Sequence, residues 1–119
     1  VRFIISGRLP SLNEFISANR TNVHVGNKMK QDAQMIVTQY IPNMKITKPV
    51  MIEYIFYEPN RRRDLDNIAS FAIKVIQDAL VNKGSLINDG WGQIVGYSVE
   101  FYVDKKNPRI CVDIHEQEE

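Results

Sequence analysis

The side chains best suited to chemistry lie in residues 61–89, RRRDLDNIASFAIKVIQDALVNKGSLIND. Three arginines, Arg61, Arg62 and Arg63, run into two carboxylates one residue apart, Asp64 and Asp66. A third carboxylate, Asp89, closes the stretch next to Gly90. Hard divalent cations such as Mg²⁺ are held by one or two carboxylates together with water and substrate phosphates. A metal polarises a phosphate while guanidinium groups dock it, so carboxylates beside arginines suit a phosphodiester substrate. Plainer roles exist for the same residues: an Asp-X-Asp at a helix start caps the helix, and arginines in a loop form a solvated face.

The spacing of Asp64 and Asp66 restricts where they can converge. On a helix, residues i and i+2 point about 200° apart, whereas in extended chain they share a side. The pair therefore belongs just before a helix or in its first turn. That helix is predicted over about Leu65 to Asn82, where Leu65, Ile68, Ala72, Val75, Ile76, Ala79 and Leu80 recur at helical intervals. Lys83-Gly84 stops it. Asp66 suits the N-cap, its carboxylate near the positive end of the helix dipole.

Strands must hold this helix in place. Val50 to Tyr57 (VMIEYIFY) is nearly all apolar and reads as a central strand, with Pro59-Asn60 closing it just before the arginines. Val1 to Arg8 is predicted as a first strand, Ile94 to Val103 as a third with Gly96 as a bulge, and Arg109 to Ile114 as the last. Between Leu9 and about Gly26, polar and turn-prone residues predict a long loop with a helical turn near Glu14–Ala18. Lys28 to Tyr40 fits an amphipathic helix ended by Pro42. The order β-α-β-α-β-β gives an α+β fold, a single domain over residues 1–119 with one mixed β-sheet and helices packed on it. Trp91 is expected to pack in the ordinary way, with base stacking or a dimer contact as alternatives.

Length and charge set further bounds. The 119 residues, 44% of them apolar, suffice for one small core, and dimerisation would bury more surface. No apolar run approaches the 18 or so residues of a membrane span, and no secretory signal is evident. Cys111 is the only cysteine, which excludes an internal disulfide and fits a reducing, cytoplasmic location. It sits in an alternating pattern that predicts core packing. Net charge is only +1, but residues 1–63 carry ten Lys/Arg against four Asp/Glu, and residues 64–119 carry five against ten. A basic half facing an acidic half is what a metal-dependent DNA enzyme could show, with phosphate contacts on one side and carboxylates on the other.

The stretch resembles the RusA-type Holliday-junction resolvases. The resemblance is carried by Arg62-Arg63-Asp64-Leu65-Asp66-Asn67-Ile68, by Asp78-Ala79-Leu80, and by Gly84 with Asn88-Asp89. It implies a homodimeric, Mg²⁺-dependent endodeoxyribonuclease, phage-associated in many cases, that cuts four-way DNA junctions in recombination and repair, with Mn²⁺ as a substitute cation. Matching position implies Asp64, Asp66 and Asp89 as catalytic, metal-binding carboxylates. The family's catalytic lysine comes four residues after the second aspartate, where this chain has Ser70. Counting back from Asp78-Ala79-Leu80 puts it on Lys74 instead. Ser70 lies about 40° and Lys74 about 80° around the helix from Asp66, and Lys74 starts roughly 12 Å along the axis. Lys74 also suits an ion pair with Asp78 at i+4.

RusA-like proteins have a Pro-Ser-X-Asn segment, here Pro10-Ser11-Leu12-Asn13, followed by a basic loop. That implies DNA contacts through Arg20, Lys28 and Lys30 in addition to Arg61, Arg62 and Arg63, although the same residues also read as solubilising charge. Productive cutting of a four-way junction takes two symmetric nicks, so a two-fold dimer is the natural form. Ser70 in the lysine's place supports a different outcome, a non-catalytic junction-binding dimer that keeps the fold. Nucleotide or sugar chemistry, where Asp-X-Asp also occurs, fits poorly, because three arginines separate the pair from the apolar strand.

Overall fold

The computed structural model describes residues 1–118; Glu119, at the end of the expected acidic tail, lies outside the described residues. Its elements run β1 (Arg2–Ser6), α1 (Leu12–Thr21), α2 (Val23–Tyr40), β2 (Val50–Glu58), α3 (Leu65–Asn82), β3 (Ile94–Val103) and β4 (Arg109–Glu116). The strands form one mixed sheet in the order β1-β4-β2-β3. The apolar run at β2 is one of its two interior strands, antiparallel to the other, β4, and parallel to β3. The fold is therefore the expected α+β arrangement with one additional helix. No helix among the described residues is long and apolar enough to cross a membrane.

The parallel pairing of β2 with β3 requires a crossover, because the chain must return to the end of the sheet where β2 began. Helix α3 is that crossover. At 1.5 Å per residue its 18 residues span roughly 27 Å, so its two ends stand over opposite ends of the sheet. One stripe of α3, including Ile68, Phe71, Ala72, Val75, Ile76 and Leu80, is buried against Val50, Ile52, Tyr54 and Phe56 of β2 and the inward residues of β4. Full burial of each large aliphatic or aromatic side chain contributes about 1.5–3 kcal/mol, which fixes α3 firmly on the sheet. Gln77 Nε2 donates to the Tyr54 hydroxyl at 3.2 Å, giving that buried phenol a partner.

The segment expected as a long loop is instead α1 and the start of α2. Ser11 is the N-cap of α1. Its hydroxyl accepts from Glu14 N at 3.1 Å, while its own N–H donates to Glu14 Oε1 at 3.2 Å, a reciprocal capping box. Phe15 stacks on Phe71 with ring centres 4.8 Å apart, which docks α1 on α3. Asn22 ends α1 and caps α2, its side chain accepting from His24 N at 2.8 Å. Gly26 lets the two helices approach: a Cβ there would lie 3.1 Å from Asn19 Cα and closer still to its side-chain oxygen.

In β3, Val50 pairs with Ile94 and Met51 with Gly96, so Val95 is the extra residue of a bulge next to the expected glycine. The second face of the sheet has no helix over it. Ile4, Glu53, Tyr102 and His115 are exposed there, and Arg109 lies over the Tyr57 ring at 3.7 Å. Cys111 is buried, as its pattern predicted.

Candidate active site

Asp64, not Asp66, is the N-cap of α3. Its backbone is extended (φ −69°, ψ 155°), its carbonyl accepts from Ile68 N at 3.0 Å, and its carboxylate makes no capping hydrogen bond. Asp66 lies in the first turn, exposed, with Oδ1 accepting from the adjacent Asn67 N–H at 3.0 Å. An N-cap aspartate normally satisfies one of the helix's unpaired N–H groups. Asp64 leaves that work undone, so both its oxygens stay available, two residues before those of Asp66.

Several bonds hold this helix start. The Asn67 side chain accepts from Asn13 N at 2.8 Å, and Asn60 Oδ1 accepts from Arg62 N at 3.0 Å. Arg63 donates to the Leu9 carbonyl at 3.0 Å and forms a close ion pair with Glu14, its side chain only 18% exposed. In the free chain its guanidinium is a strut joining the α3 entry to α1, and Arg63 also lines the groove beside Asp64. Burial pushes the Glu14 carboxyl up, but hydrogen bonding with Ser11 and the Arg63 guanidinium outweigh it and hold the group below the ordinary glutamate range. Arg61 and Arg62 remain exposed. Arg61 and Asp64 border a groove of about 720 Å³ with Glu58, Leu65, Phe101 and Tyr102.

Lys74 and Asp89 form a second group. Lys74 Nζ is 3.1 Å from Asp78 Oδ1 and 3.2 Å from Asp89 Oδ2. The hydrogen bonds to Asp78 and Asp89 raise its pKa above that of an ordinary lysine. Ser70, at the other candidate position, turns its hydroxyl back onto the Asp66 carbonyl at 2.6 Å. Lys74 holds Asp89 about two turns down α3 from Asp66, roughly 12 Å along the axis. Among the described residues, no three His, Cys, Asp or Glu side chains converge to hold a metal ion. The expected meeting of Asp64, Asp66 and Asp89 is thus not made within one chain. The cause is topological: Asp64 follows the end of β2 and Asp89 precedes the start of β3, and in a parallel pair those points lie at opposite ends of the sheet.

The loop bearing Asp89 is clamped at its base by Gln93, which is buried. Gln93 Oε1 accepts from the backbone N–H of Ile87 and of Asn88, and its Nε2 donates to the carbonyls of Ile46 at 2.6 Å and Lys48 at 3.3 Å. At the tip Trp91 is 96% exposed, contrary to the packing role expected for it. Of the basic residues before β2, Arg20 is exposed, Lys28 pairs with Asp32 at 3.1 Å, and Lys30 pairs with Asp78 at 3.3 Å, joining α2 to α3.

A family model described as endodeoxyribonuclease RusA matches residues 10–115 of the 119-residue chain. The chain belongs to the RusA endodeoxyribonuclease family. Comparison with individual curated proteins gives no match.

For a RusA nuclease the donor set at the α3 entry is chemically apt for a hard divalent cation. Asp64 and Asp66 offer carboxylate oxygens only, in contact with solvent, and leave other coordination positions to water and phosphate. Two residues of this neighbourhood escaped sequence reasoning. Glu58 is a buried carboxylate, 3.5 Å from Arg8, and its signal was available: it falls in phase with the inward Val50, Ile52, Tyr54 and Phe56. Gln93 had none, because its partners at Ile46 and Lys48 are remote in sequence.

Proposed function

We propose that this RusA-family chain is a Mg²⁺-dependent endonuclease that cuts four-way DNA junctions by paired symmetric nicks as a homodimer, with Mn²⁺ able to replace Mg²⁺. The observation that carries this reading is the uncapping Asp64 beside Asp66 at a firmly anchored helix start. Asp64 and Asp66 would hold the cation. When bound, the cation supplies Lewis-acid activation of the scissile phosphate. Arg61 and Arg62 dock neighbouring phosphates as charge-assisted donors, and Arg20, Lys28 and Lys30 add backbone contacts further out. Lys74 presents an ammonium to the reacting strand. Asp89 is the third carboxylate, and a two-fold dimer supplies the pair with a second copy of it, which one chain keeps too far away. Recognition rests on junction shape and backbone charge. A reducing cytoplasm suits the single cysteine.

The test is a series of isosteric neutralisations. Asp64→Asn, Asp66→Asn and Asp89→Asn are each expected to lower junction cleavage at least about 100-fold while leaving junction binding in place, since even the outer partners of a metal ligand are worth 10–100-fold. Full activity in all three refutes the site. The back-bonded Ser70 favours a second reading, a junction-binding dimer without catalysis. A gel assay of junction DNA with and without Mg²⁺ separates the two: binding with no nicking at any Mg²⁺ concentration supports the second.

A further inference from the structure

Trp91 is the only tryptophan in the chain and stands 96% exposed on the loop that carries Asp89. A tryptophan offers one of the largest apolar surfaces of any side chain, and folded chains ordinarily bury most of it. Here the surroundings prevent that. Gly90 and Gly92 flank the ring, and a Cβ added to Gly92 would meet no atom within 4 Å. Gln93 clamps the loop base, so the indole projects from a fixed root. Asn88 and Asp89 beside it on the loop are polar, and Ile87, 58% exposed, is the other uncovered apolar side chain of the loop. Two residues back, Asp89 is held by the Lys74 ammonium. A flat ring two residues from a carboxylate that the Lys74 ammonium holds suits a nucleobase on a strand of DNA, because every base has a π-face.

We propose that Trp91 stacks on a nucleobase face left exposed where base stacking is interrupted at the branch point of the DNA substrate, and thereby sets the strand beside Lys74 and Asp89. This rests on the DNA-nuclease reading above. Because the chain has one tryptophan, its emission reports on this position alone. The full-length protein is titrated with a four-way junction in EDTA, where no cleavage occurs, and binding is followed independently by the anisotropy of a label on the DNA. Quenching of Trp91 emission in step with binding is expected. Trp91→Ala should weaken junction binding on the order of 10-fold, Trp91→Phe should retain most of it, and linear duplex should show a much smaller change. Saturated DNA with unchanged emission overturns the proposal, as does wild-type affinity in Trp91→Ala. A blue shift that grows with protein concentration in the absence of DNA assigns the ring to a contact between copies and equally overturns it. Failure of the wild-type protein to bind any DNA sinks the nuclease reading together with the stacking, which distinguishes that failure from the others.

Discussion

The entry to α3 and the loop from Ile87 to Gly92 both present carboxylates, but they are held in opposite ways. Asp64 and Asp66 stand on a helix whose next turns are sunk in the core, with Arg63, Asn67 and Asn60 bracing the approach. Asp89 sits on an exposed loop secured at its root by Gln93 and at its tip by one ion pair to Lys74. Packed side chains resist displacement far more than a half-exposed ion pair, whose net worth is at most about 1 kcal/mol. The chain therefore fixes one pair of carboxylates by packing and holds the third by weaker, more exposed bonds.

That contrast can be broken at either end. The largest effect is expected from Asp64→Asn combined with Asp66→Asn, which should abolish cleavage beyond the 100-fold loss of either alone without lowering the thermal midpoint; a lower midpoint would mean that the pair supports the fold. Gln93→Leu should cost about 2 kcal/mol in urea unfolding, because it leaves the half-buried amides of Ile87 and Asn88 and the buried Ile46 carbonyl without partners, and should slow cleavage as well. Lys74→Met should reduce cleavage about 10-fold or more, as loss of a transition-state cation does, and lower the steady-state polarisation of Trp91 emission by releasing the loop tip. Unchanged polarisation would show that Gln93 alone immobilises the loop. The smallest effect concerns the Glu14–Arg63 strut. Because the Glu14 pKa is lowered on folding, its stabilisation is present above the ordinary value of 4.5 and is lost as pH falls through the lower folded value. Wild type should exceed Glu14→Gln by less than about 1 kcal/mol at neutral pH, since half the Glu14 side chain is exposed, and the gap should close below about pH 4.5.

What could be read from the sequence followed the strength of local periodicity. Helix α3 runs from Leu65 to Asn82 and β3 from Ile94 to Val103, both as expected: α3 buries a regular stripe, and β3 is a β-branched and aromatic run that half-buries Ile94, Val99 and Phe101. Helix α1 was missed because Asn13, Ser17, Asn19 and Arg20 turn to solvent and leave only a thin apolar stripe, although Ser11-Leu12-Asn13-Glu14 spells a capping box. At the site, the carboxylates and arginines were identifiable by type, but their assignments depended on distant partners. Arg63 is turned inward by Leu9 and Glu14, Asp89 is drawn to Lys74, and the separation of the three carboxylates follows from the parallel crossover, which no short window contains.

With its second face bare, the sheet shields its peptide groups from solvent on one side only, so position within the sheet decides how well each strand is protected. Strands β2 and β4 are each hydrogen-bonded to a neighbour on either flank, whereas β1 and β3 each have one unpaired edge. Heavy-water uptake should accordingly be slowest along β2 and β4, where it waits on opening of the whole domain, and faster in the outermost strands, where local fraying suffices.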